Sequence, residues 1–231
     1  NTFMKKLRVC VLFGGKSGEH EVSLQSAKSI YEALDKEKYD VLLVGIDKEG
    51  RWLLGDAANY LLHAENPKLI ALNKANARPV TAVSKPEGTE LISLDSGRGA
   101  GQIDVFFPIT HGTYGEDGCL QGFLELLDAA YVGPVVLGSA VGMDKDVMKR
   151  LFRDAGLPVG KFLVFRGNEH IDAKNIFSEL GTPVFVKPAN LGSSVGISKA
   201  KNEEELYAAI KEAFLYDSKV VLEEFIKGRE I

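Results

Sequence analysis

The sequence lacks the features that mark several classes of protein. Its 231 residues contain two cysteines, too few for a disulfide framework, and the apolar contexts of Cys10 and Cys119 predict buried free thiols in a reducing cytoplasm. No apolar run approaches the ~20 residues of a membrane-spanning helix, and no signal peptide precedes the first predicted strand. The formal net charge of −4 provides no general basic field for nucleic acid. The sequence therefore predicts a cytoplasmic protein that binds neither membranes nor nucleic acid.

The composition is that of an ordinary globular protein, with 45% hydrophobic and 26% charged residues. This length fits one large domain or two ordinary ones. Because the chain stops soon after a predicted strand with no closing element, it is predicted to be part of a longer polypeptide. The predicted divisions are an added remnant ahead of Met4 at 1–3, an N-terminal domain at 4–138, a central domain at 139–226, and the start of a C-terminal part at 227–231.

The first half opens with the pattern of a parallel α/β sheet. An apolar run at 8–13 predicts a buried strand, 23–34 repeats apolar residues on one helix face, and 40–46 predicts the next strand. Such a strand–helix–strand unit predicts a Rossmann-like domain with a parallel sheet. Further along, the predicted elements are edge strands at 80–83 and 91–94, a loop at 96–101, a strand at 105–110 and one helix at 139–155.

A strand followed by a glycine- and serine-rich loop at 184–196 is the most informative segment. The strand delivers Lys187, and Gly-Ser-Ser-Val-Gly follows at 192–196, here called the serine loop. Glycines let backbone N–H groups approach an anion, while serine hydroxyls and the lysine add donors and charge, which suits a polyphosphate. The order differs from a Walker loop, in which the lysine follows the glycines. A flexible turn beside a surface lysine is the alternative interpretation.

Another glycine-rich loop, 13–23, follows the first predicted strand and is here called the glutamate loop. Open α/β sheets bind their ligands at such strand ends. Its G-G-x-x-G spacing departs from the G-x-G-x-x-G of dinucleotide-binding folds. Its carboxylates, Glu19 and Glu21, oppose a pyrophosphate and suit an ammonium group. For both residues the alternative is an acidic helix start that complements the helix dipole.

Three further places are candidates for ligand contacts. His111 follows a predicted strand and opens a glycine-rich segment, although a lone histidine there is more commonly a buried structural residue. Lys145 lies near a helix start, where a cation opposes the dipole unless it faces a phosphate; with Lys149 it gives that helix a positive side. In the last predicted strand, alternation places Glu223 and Glu224 on opposite faces, so one of them points into a cleft or forms an edge charge.

Five segments carry a combined signature in the order GGKSGEHEVS, HGTYGEDGCLQG, MDK, VKPANLGSSVG and LEEFIKGRE. Together they resemble the D-alanine–D-alanine ligase family of ATP-grasp enzymes, over nearly the whole chain from Met4. The resemblance implies an N-terminal Rossmann-like domain, a central α+β domain and a C-terminal domain, with ATP gripped between the last two. The expected fold class is α/β, a parallel-sheet domain followed by part of an ATP-grasp domain.

The resemblance also implies roles for individual residues. Glu19 would bind the ammonium group of a first D-alanine, and His111 would lie near the carboxylate of that substrate. Ser193 would join Glu19 in a hydrogen-bonded group that closes a mobile loop over the site, and these two are the implied catalytic residues. The implied ATP-binding residues are Lys145, Lys187, Ser193, Ser194, Val195, Glu223, Phe225, Ile226 and Glu230.

Within the ATP-binding set, the lysines would contact the phosphates and the serine loop would cover them. Glu223 would accept the exocyclic amine of adenine, with Phe225 and Ile226 completing the base pocket. Glu230 would bind the ribose hydroxyls. These implied roles agree with the chemistry of the residues, because lysines suit phosphate and carboxylates suit amines.

The implied reaction joins two D-alanines through an acyl phosphate, with ATP as substrate and Mg²⁺ or Mn²⁺ as its metal. The metal-binding carboxylates and a catalytic arginine of the family are expected after Ile231, so this chain is expected to hold no metal ligands and to be inactive alone. A homodimer is implied by the family.

Three alternatives stay open. A D-alanine–D-lactate or D-alanine–D-serine ligase differs only in its second substrate. A nicotinamide oxidoreductase is suggested by the strand–helix–strand opening and by Asp47 after the second strand. A noncatalytic nucleotide-binding module would bind ATP without turnover.

Overall fold

The computed structural model describes residues 5–167 and 169–229. The chain divides into two compact units, one ending at Ser139 and the other beginning at Ala140. The expected remnant at 1–3 and the expected ribose contact of Glu230 lie outside the described residues. Within the described ranges, no helix has both the length and the apolarity needed to cross a membrane.

The first unit contains a seven-stranded sheet. Its elements are β1 (Leu7–Gly14), α1 (His20–Ala33), β2 (Tyr39–Ile46), β3 (Trp52–Gly55), β4 (Leu61–Leu62), β5 (Ala71–Leu72), β6 (Arg78–Lys85), β7 (Gly88–Ser93), β8 (Gly99–Ile103), β9 (Val105–Pro108) and α2 (Cys119–Leu126). The order across the sheet is β8-β7-β6-β3-β2-β1-β9, and β4 pairs separately with β5.

The central strand β1 determines how the helices cover this sheet. Its residues from Val9 to its end are buried, as a strand covered on both faces requires. Val11 packs with Leu24 of α1 on one face. Leu12 packs with Leu124 of α2 on the other face. The expected α/β class with parallel strands is confirmed by this arrangement.

Strand direction divides the sheet into two parts. Strands β2, β1 and β9 are parallel, so their carboxyl ends meet at one edge. The other four strands extend the sheet by antiparallel pairing, which makes the whole sheet mixed. The expectation that 80–83 and 91–94 form edge strands is wrong, because β6 and β7 lie inside the sheet.

Strand β8 occupies part of the expected loop at 96–101. A side chain at Gly99 would collide with the carboxylate of Glu90, and one at Gly101 would collide with the guanidinium of Arg8. The glycines therefore let long polar side chains cross the strand closely. Glycine enrichment predicts a loop from sequence, but here it permits close contacts within a sheet.

Two smaller expectations also change in the first unit. Helix α1 begins at His20, three residues earlier than predicted, which places Glu19 at its N-cap.

Cys10 is buried as predicted, whereas Cys119 is exposed. The exposure of Cys119 follows from its place as the first residue of α2, whose buried residues begin at Leu120.

The second unit contains a four-stranded antiparallel sheet with the order β10-β13-β11-β12. From α3 onward the elements are α3 (Val136–Met143), α4 (Lys145–Asp154), β10 (Phe162–Arg166), α5 (Ala173–Leu180), β11 (Val184–Pro188), β12 (Ser198–Ala200), α6 (Glu203–Ala213) and β13 (Lys219–Glu224). Helices α5 and α6 cover one face, where Ile176 and Leu206 pack on Val184 and Val186 of β11. The alternate residues of β11 therefore occupy the other face.

The expected single helix at 139–155 is wrong, because the chain breaks at Asp144. Asp144 has an extended backbone, and its carboxylate accepts hydrogen bonds from the amides of Asp146 and Val147. This is the geometry of a helix N-cap, and a new helix begins at Lys145. Helix α4 ends at Asp154, one residue before the predicted end, and Gly156 beyond it adopts a left-handed φ of 76°.

Candidate functional site

In the first unit, the glutamate loop and the loop after β9 lie at the carboxyl edge of the parallel strands. The hydroxyl of Ser23 joins them: it accepts from the amide of Gly14 at 2.7 Å and donates to the carbonyl of Ile109 at 2.6 Å. Ser23 is fully buried, so this double contact replaces water for both backbone groups. The two loops are thereby held in one arrangement.

Glu19 and His111 come from these two loops and are brought together. The hydroxyl of Ser17 donates to the carbonyl of His111 at 2.6 Å and accepts from the amide of Glu19 at 3.1 Å. A side chain at Gly112 would lie 2.7 Å from Oε2 of Glu19, and Gly112 has a left-handed φ of 73°. Glycine is required at position 112 because the backbone is left-handed there and because the carboxylate of Glu19 leaves no room for a side chain.

The imidazole of His111 contacts two side chains that the sequence analysis did not select. Its Nε2 lies 3.0 Å from the hydroxyl of Ser26. Its Nδ1 lies 3.8 Å from Oε1 of Glu116, whose other oxygen accepts from the amide of Gly112 at 2.7 Å. A sequence signal for Ser26 did exist, because Glu19, Ser23 and Ser26 recur on one helix face at i, i+4 and i+7.

A small pocket of about 140 Å³ lies beside His111. It is lined by Gly15, Lys16 and Thr110, among others, and the ammonium of Lys16 lies 5.2 Å from the ring centre of Tyr114. The buried hydroxyl of Thr110 has no hydrogen-bond partner among the described residues. A pocket of this size suits a small molecule.

Glu21 and Asp47 do not join this group. Glu21 forms an ion pair with Lys48 at 2.7 Å, and that hydrogen bond lowers the pKa of Glu21. Asp47 is buried, accepts from two backbone amides, and pairs with Arg51 at 2.7 Å and Lys74 at 3.3 Å. Burial acts to raise the pKa of Asp47, but these hydrogen bonds outweigh it and hold that pKa below its ordinary value. Asp47 is thus engaged as a structural anion, which removes the carboxylate on which the oxidoreductase alternative depended.

In the second unit, three strands place a carboxylate between two aromatic residues. The strand register sets Glu223 of β13 opposite Phe162 of β10 and opposite Phe185 of β11. These residues alternate with the core residues of their strands, so they share the face that α5 and α6 leave uncovered. The ring of Phe225 stacks on that of Phe185 with centroids 6.0 Å apart. We call this face, defined by Phe162, Phe185, Lys187, Glu223 and Phe225, the open face.

Lysines surround the carboxylate of the open face. The Nζ of Lys187 lies 2.6 Å from Oε2 of Glu223, and the Nζ of Lys149 lies 3.3 Å from Oε1. The ammonium of Lys145 donates to the carbonyls of Leu191 and, at 3.5 Å, Ala189. Burial and the nearby charge of Lys187 lower the pKa of Lys145. A bound polyanion would stabilise the charged state of cations that are held this close together.

The serine loop adopts a backbone that few residues tolerate. Ser193, Ser194 and Gly196 have left-handed φ values of 48°, 60° and 68°. The base of the loop is fixed by Asp217, which accepts from the amide and side chain of Asn190 at 2.8 and 2.9 Å. Left-handed conformations outside glycine are concentrated at functional sites, which makes the loop a candidate for ligand contact.

The remaining predicted adenine residues lie beyond the end of β13. Phe225 is 47% exposed and Ile226 is 67% exposed, so both present apolar surface that a flat base could cover. Val195 is also partly exposed, at 38%. Ile226 would collide with a side chain at position 160, where the chain has glycine.

Sequence reasoning missed Lys149, Phe162 and Phe185 as site residues. Two of them had a signal: Phe185 precedes Lys187 by two residues in a strand, and Lys149 follows Lys145 by four in a helix. The register that brings Phe162 to Glu223 involves residues 61 positions apart and has no local signature.

An α/β unit with a carboxylate at its strand ends, followed by an antiparallel unit with lysines on its open face, has the fold class expected from the sequence, a parallel-sheet domain and part of an ATP-grasp domain. A family model described as the D-ala D-ala ligase N-terminus matches residues 8–134, and one described as the D-ala D-ala ligase C-terminus matches residues 151–231. The chain belongs to the D-alanine–D-alanine ligase family.

Named relatives agree with this membership. A D-alanine–D-alanine ligase of Oceanobacillus iheyensis is 52% identical over 99% of this chain. A solved D-alanine–D-alanine ligase of Coxiella burnetii covers 97% of the chain at 40% identity with a TM-score of 0.85, and this match spans 65% of that structure. The VanG D-Ala:D-Ser ligase of Enterococcus faecalis covers 97% at 37% identity with a TM-score of 0.82, over 64% of its own chain. The chain spans 62% of the length of the Oceanobacillus relative.

Proposed function

We propose that the protein carrying this chain uses ATP to join two D-alanines into D-alanyl-D-alanine, as a cytoplasmic step of cell-wall precursor synthesis. The observation that carries the proposal is the open face, where Lys187 and Lys149 surround Glu223 between two phenylalanines. This combination offers an acceptor for a base amine, aromatic surface for a base, and cations for phosphate. Family membership then selects the reaction among those that ATP can drive.

In the proposed complex, Lys145 and Lys187 bind the phosphates of ATP. Glu223 receives the exocyclic amine of adenine, while Phe225 and Ile226 contact the base. When Lys187 turns to the phosphates, its ion pair with Oε2 of Glu223 opens, and that oxygen becomes available to the amine. Ser193, Ser194 and Val195 of the serine loop cover the phosphates, and Glu230 binds the ribose.

The first D-alanine is proposed to bind in the first unit. Glu19 receives its ammonium group, because a carboxylate at this loop suits a cation. His111 lies near its carboxylate, and the pocket of about 140 Å³ beside His111 accepts a molecule of this size. Ser193 is proposed to act with Glu19 in closing the loop over the bound substrates.

The chemistry proceeds in two proposed steps. A carboxylate oxygen of the first D-alanine attacks the γ-phosphorus, the bond to the β-phosphate oxygen breaks, and ADP leaves from an acyl phosphate. The amine of the second D-alanine then attacks the acyl carbon, loses a proton, and expels inorganic phosphate as the carbon–oxygen bond breaks. The lysines stabilise the negative charge of the phosphates, and loop closure protects the acyl phosphate from water.

Mg²⁺ or Mn²⁺ is proposed as the cation that accompanies ATP. Residues 5–167 and 169–229 contain no cluster of three His, Cys, Asp or Glu side chains that could hold a metal. A homodimer is also proposed, on family membership alone.

A ligase that prefers D-serine as the second substrate is the second candidate. It is favoured by the similarity to the VanG enzyme, whose name gives D-serine as its second substrate. The 52% identity to a D-alanine–D-alanine ligase, against 37% to VanG, places D-alanine first.

The test is product analysis with the natural protein that carries this sequence at its full length. With ATP, Mg²⁺ and D-alanine, we expect equal amounts of D-alanyl-D-alanine and inorganic phosphate. With D-alanine in competition with D-serine or D-lactate, the dipeptide of D-alanine should predominate. ATP binding without phosphate release would instead identify a noncatalytic nucleotide-binding module.

A further inference from the structure

Lys149 stands out because its contacts are with the base-recognition carboxylate rather than with other parts of the proposed site. Its ammonium lies 3.3 Å from Oε1 of Glu223 and 5.5 Å from the ring centre of Phe162. Phe162 is also the register neighbour of Glu223 on β10. The lysine is therefore fixed at two points, by a carboxylate and by an aromatic ring that lie side by side.

The environment of this ion pair makes it stronger than a surface pair. The side chains of Lys149 and Glu223 are 16% and 13% exposed. Solvent and salt screen such a partly buried pair less than an exposed one. Helix α4, which carries Lys149, is tied to the strand that carries Glu223, because Lys219 of β13 pairs with Asp144 and Asp146 at the start of the helix.

The two oxygens of Glu223 have different partners, and this division has a consequence for ATP binding. Oε2 is paired with Lys187, the residue proposed to turn to the phosphates. Oε1 is paired with Lys149. When Lys187 leaves, Lys149 is the cation that keeps the carboxylate in place, with Oε2 free to accept a hydrogen bond.

We propose that Lys149 is a positioning residue for base selection, which holds Glu223 through Oε1 so that Oε2 accepts the exocyclic amine of adenine. This inference rests on the proposed function, in which Glu223 reads the base. A site built to accept from an N–H group rejects a base that presents a carbonyl there, because two acceptors then face each other. Inosine triphosphate (ITP) has such a carbonyl and otherwise retains the ribose and phosphates of ATP.

The experiment measures the Kd of ATP and of ITP by calorimetry, in the natural protein that carries this sequence at its full length. We expect Lys149→Met to reduce the preference for ATP over ITP by about tenfold, the scale of one hydrogen bond to a charged group. Lys149→Arg should retain most of the preference, because it keeps the cation. Arg153→Met is the control, since it removes one positive charge from an exposed position of the same helix.

Each outcome has a separate meaning. If Lys149→Met weakens ATP and ITP binding by the same factor, the lysine contributes charge alone and the positioning role is wrong. An unchanged preference in Lys149→Met, beside a lost preference in Glu223→Gln, also overturns the role of Lys149 while leaving Glu223 as the base reader. Equal affinities of the unaltered protein for ATP and ITP would overturn the base contact of Glu223, and the role of Lys149 with it.

Discussion

The two units present their candidate groups in different ways. In the first unit, Glu19 and His111 stand on loops that follow parallel strands. In the second unit, Glu223 and Lys187 stand on the strands themselves and are aligned by the register of an antiparallel sheet. Loops need separate polar contacts to fix them, whereas strand residues are fixed by the ladder of the sheet.

The contacts that fix the first unit are visible as buried polar side chains. Ser23 joins two loops by hydrogen bonds to Gly14 and Ile109. Asp47 fixes the turn after β2, because it accepts from two backbone amides and pairs with Arg51 and Lys74. The second unit uses such a contact where its site does depend on a loop, at Asp217 below the serine loop. The comparison predicts that substitution of such a buried polar anchor lowers the stability of the first unit, whereas substitution of a charged residue on the open face changes ligand binding.

The largest expected effect is on the stability of the first unit. Asp47→Asn should lower the free energy of unfolding by about 3 kcal/mol, because a neutral amide replaces the buried, charged acceptor of two backbone amides and of Arg51. The measurement is urea denaturation at pH 7, with Glu49→Gln at an exposed neighbour as the control. An unfolding midpoint equal to that of the unaltered protein would show that Asp47 does not fix the turn.

The same residue gives a pH dependence with a definite sign. The pKa of Asp47 is lower in the folded chain than in the unfolded one, so its stabilising contribution is complete above the ordinary aspartate pKa of about 4. It is lost progressively as the pH falls below that value towards the lower folded pKa. Asp47→Asn should therefore lose less stability between about pH 5 and about pH 3 than the unaltered protein.

A second prediction concerns the open face. Lys187→Met should raise the KM for ATP by roughly thirtyfold, or about 2 kcal/mol, because it removes a cation proposed to bind phosphate. The KM for D-alanine should change little, and the melting temperature should stay close to that of the unaltered protein. Steady-state kinetics with each substrate varied separately make the measurement. An unaltered KM for ATP would return Lys187 to the interpretation of a surface lysine beside a turn.

A third prediction gives the converse result in the first unit. Glu19→Gln should weaken binding of the first D-alanine by about tenfold, since a neutral amide replaces the charged partner of an ammonium group. ATP affinity should stay the same. The matched control is Glu21→Gln, which removes a carboxylate of the same loop that pairs with Lys48. If both variants weaken D-alanine binding alike, general charge accounts for the effect and the specific role of Glu19 is wrong.

How far the sequence predicted these regions depends on whether the information was local. The serine loop and Lys187 before it were predicted to suit a polyphosphate, and the carboxylates of the glutamate loop were predicted to suit an ammonium group, both from neighbouring residues alone. The row of Phe162, Glu223 and Phe185 was not predicted, because it depends on the pairing of distant strands. The strand at β8 was missed for a related reason: its glycines make room for side chains of other strands.

The break between α3 and α4 shows a local signal that was present and not used. Asp144 is among the favoured N-cap residues, and Asp146 adds an acidic residue in the first turn. The sequence was nevertheless predicted to form one continuous helix at 139–155. Because Asp144 is the cap, α4 begins at Lys145. The side chain of Lys145 therefore lies at the start of a helix, where it contacts the carbonyls of Ala189 and Leu191.

The smallest expected effect separates positioning from direct contact within the first unit. Ser26→Ala removes the hydroxyl that lies 3.0 Å from Nε2 of His111, at a cost of about 1 kcal/mol in a typical case. We expect the KM for D-alanine to rise by about fivefold, the ratio that corresponds to this energy. Ser29→Ala, one helical turn further along α1 and exposed, is the control.

The ¹⁵N chemical shifts of the His111 ring should change in Ser26→Ala and not in Ser29→Ala, because the hydroxyl contact influences which ring nitrogen carries the proton. Unchanged ring shifts together with an increased KM would mean that Ser26 acts on the substrate by a route other than His111, and the hydrogen bond would then be structural only.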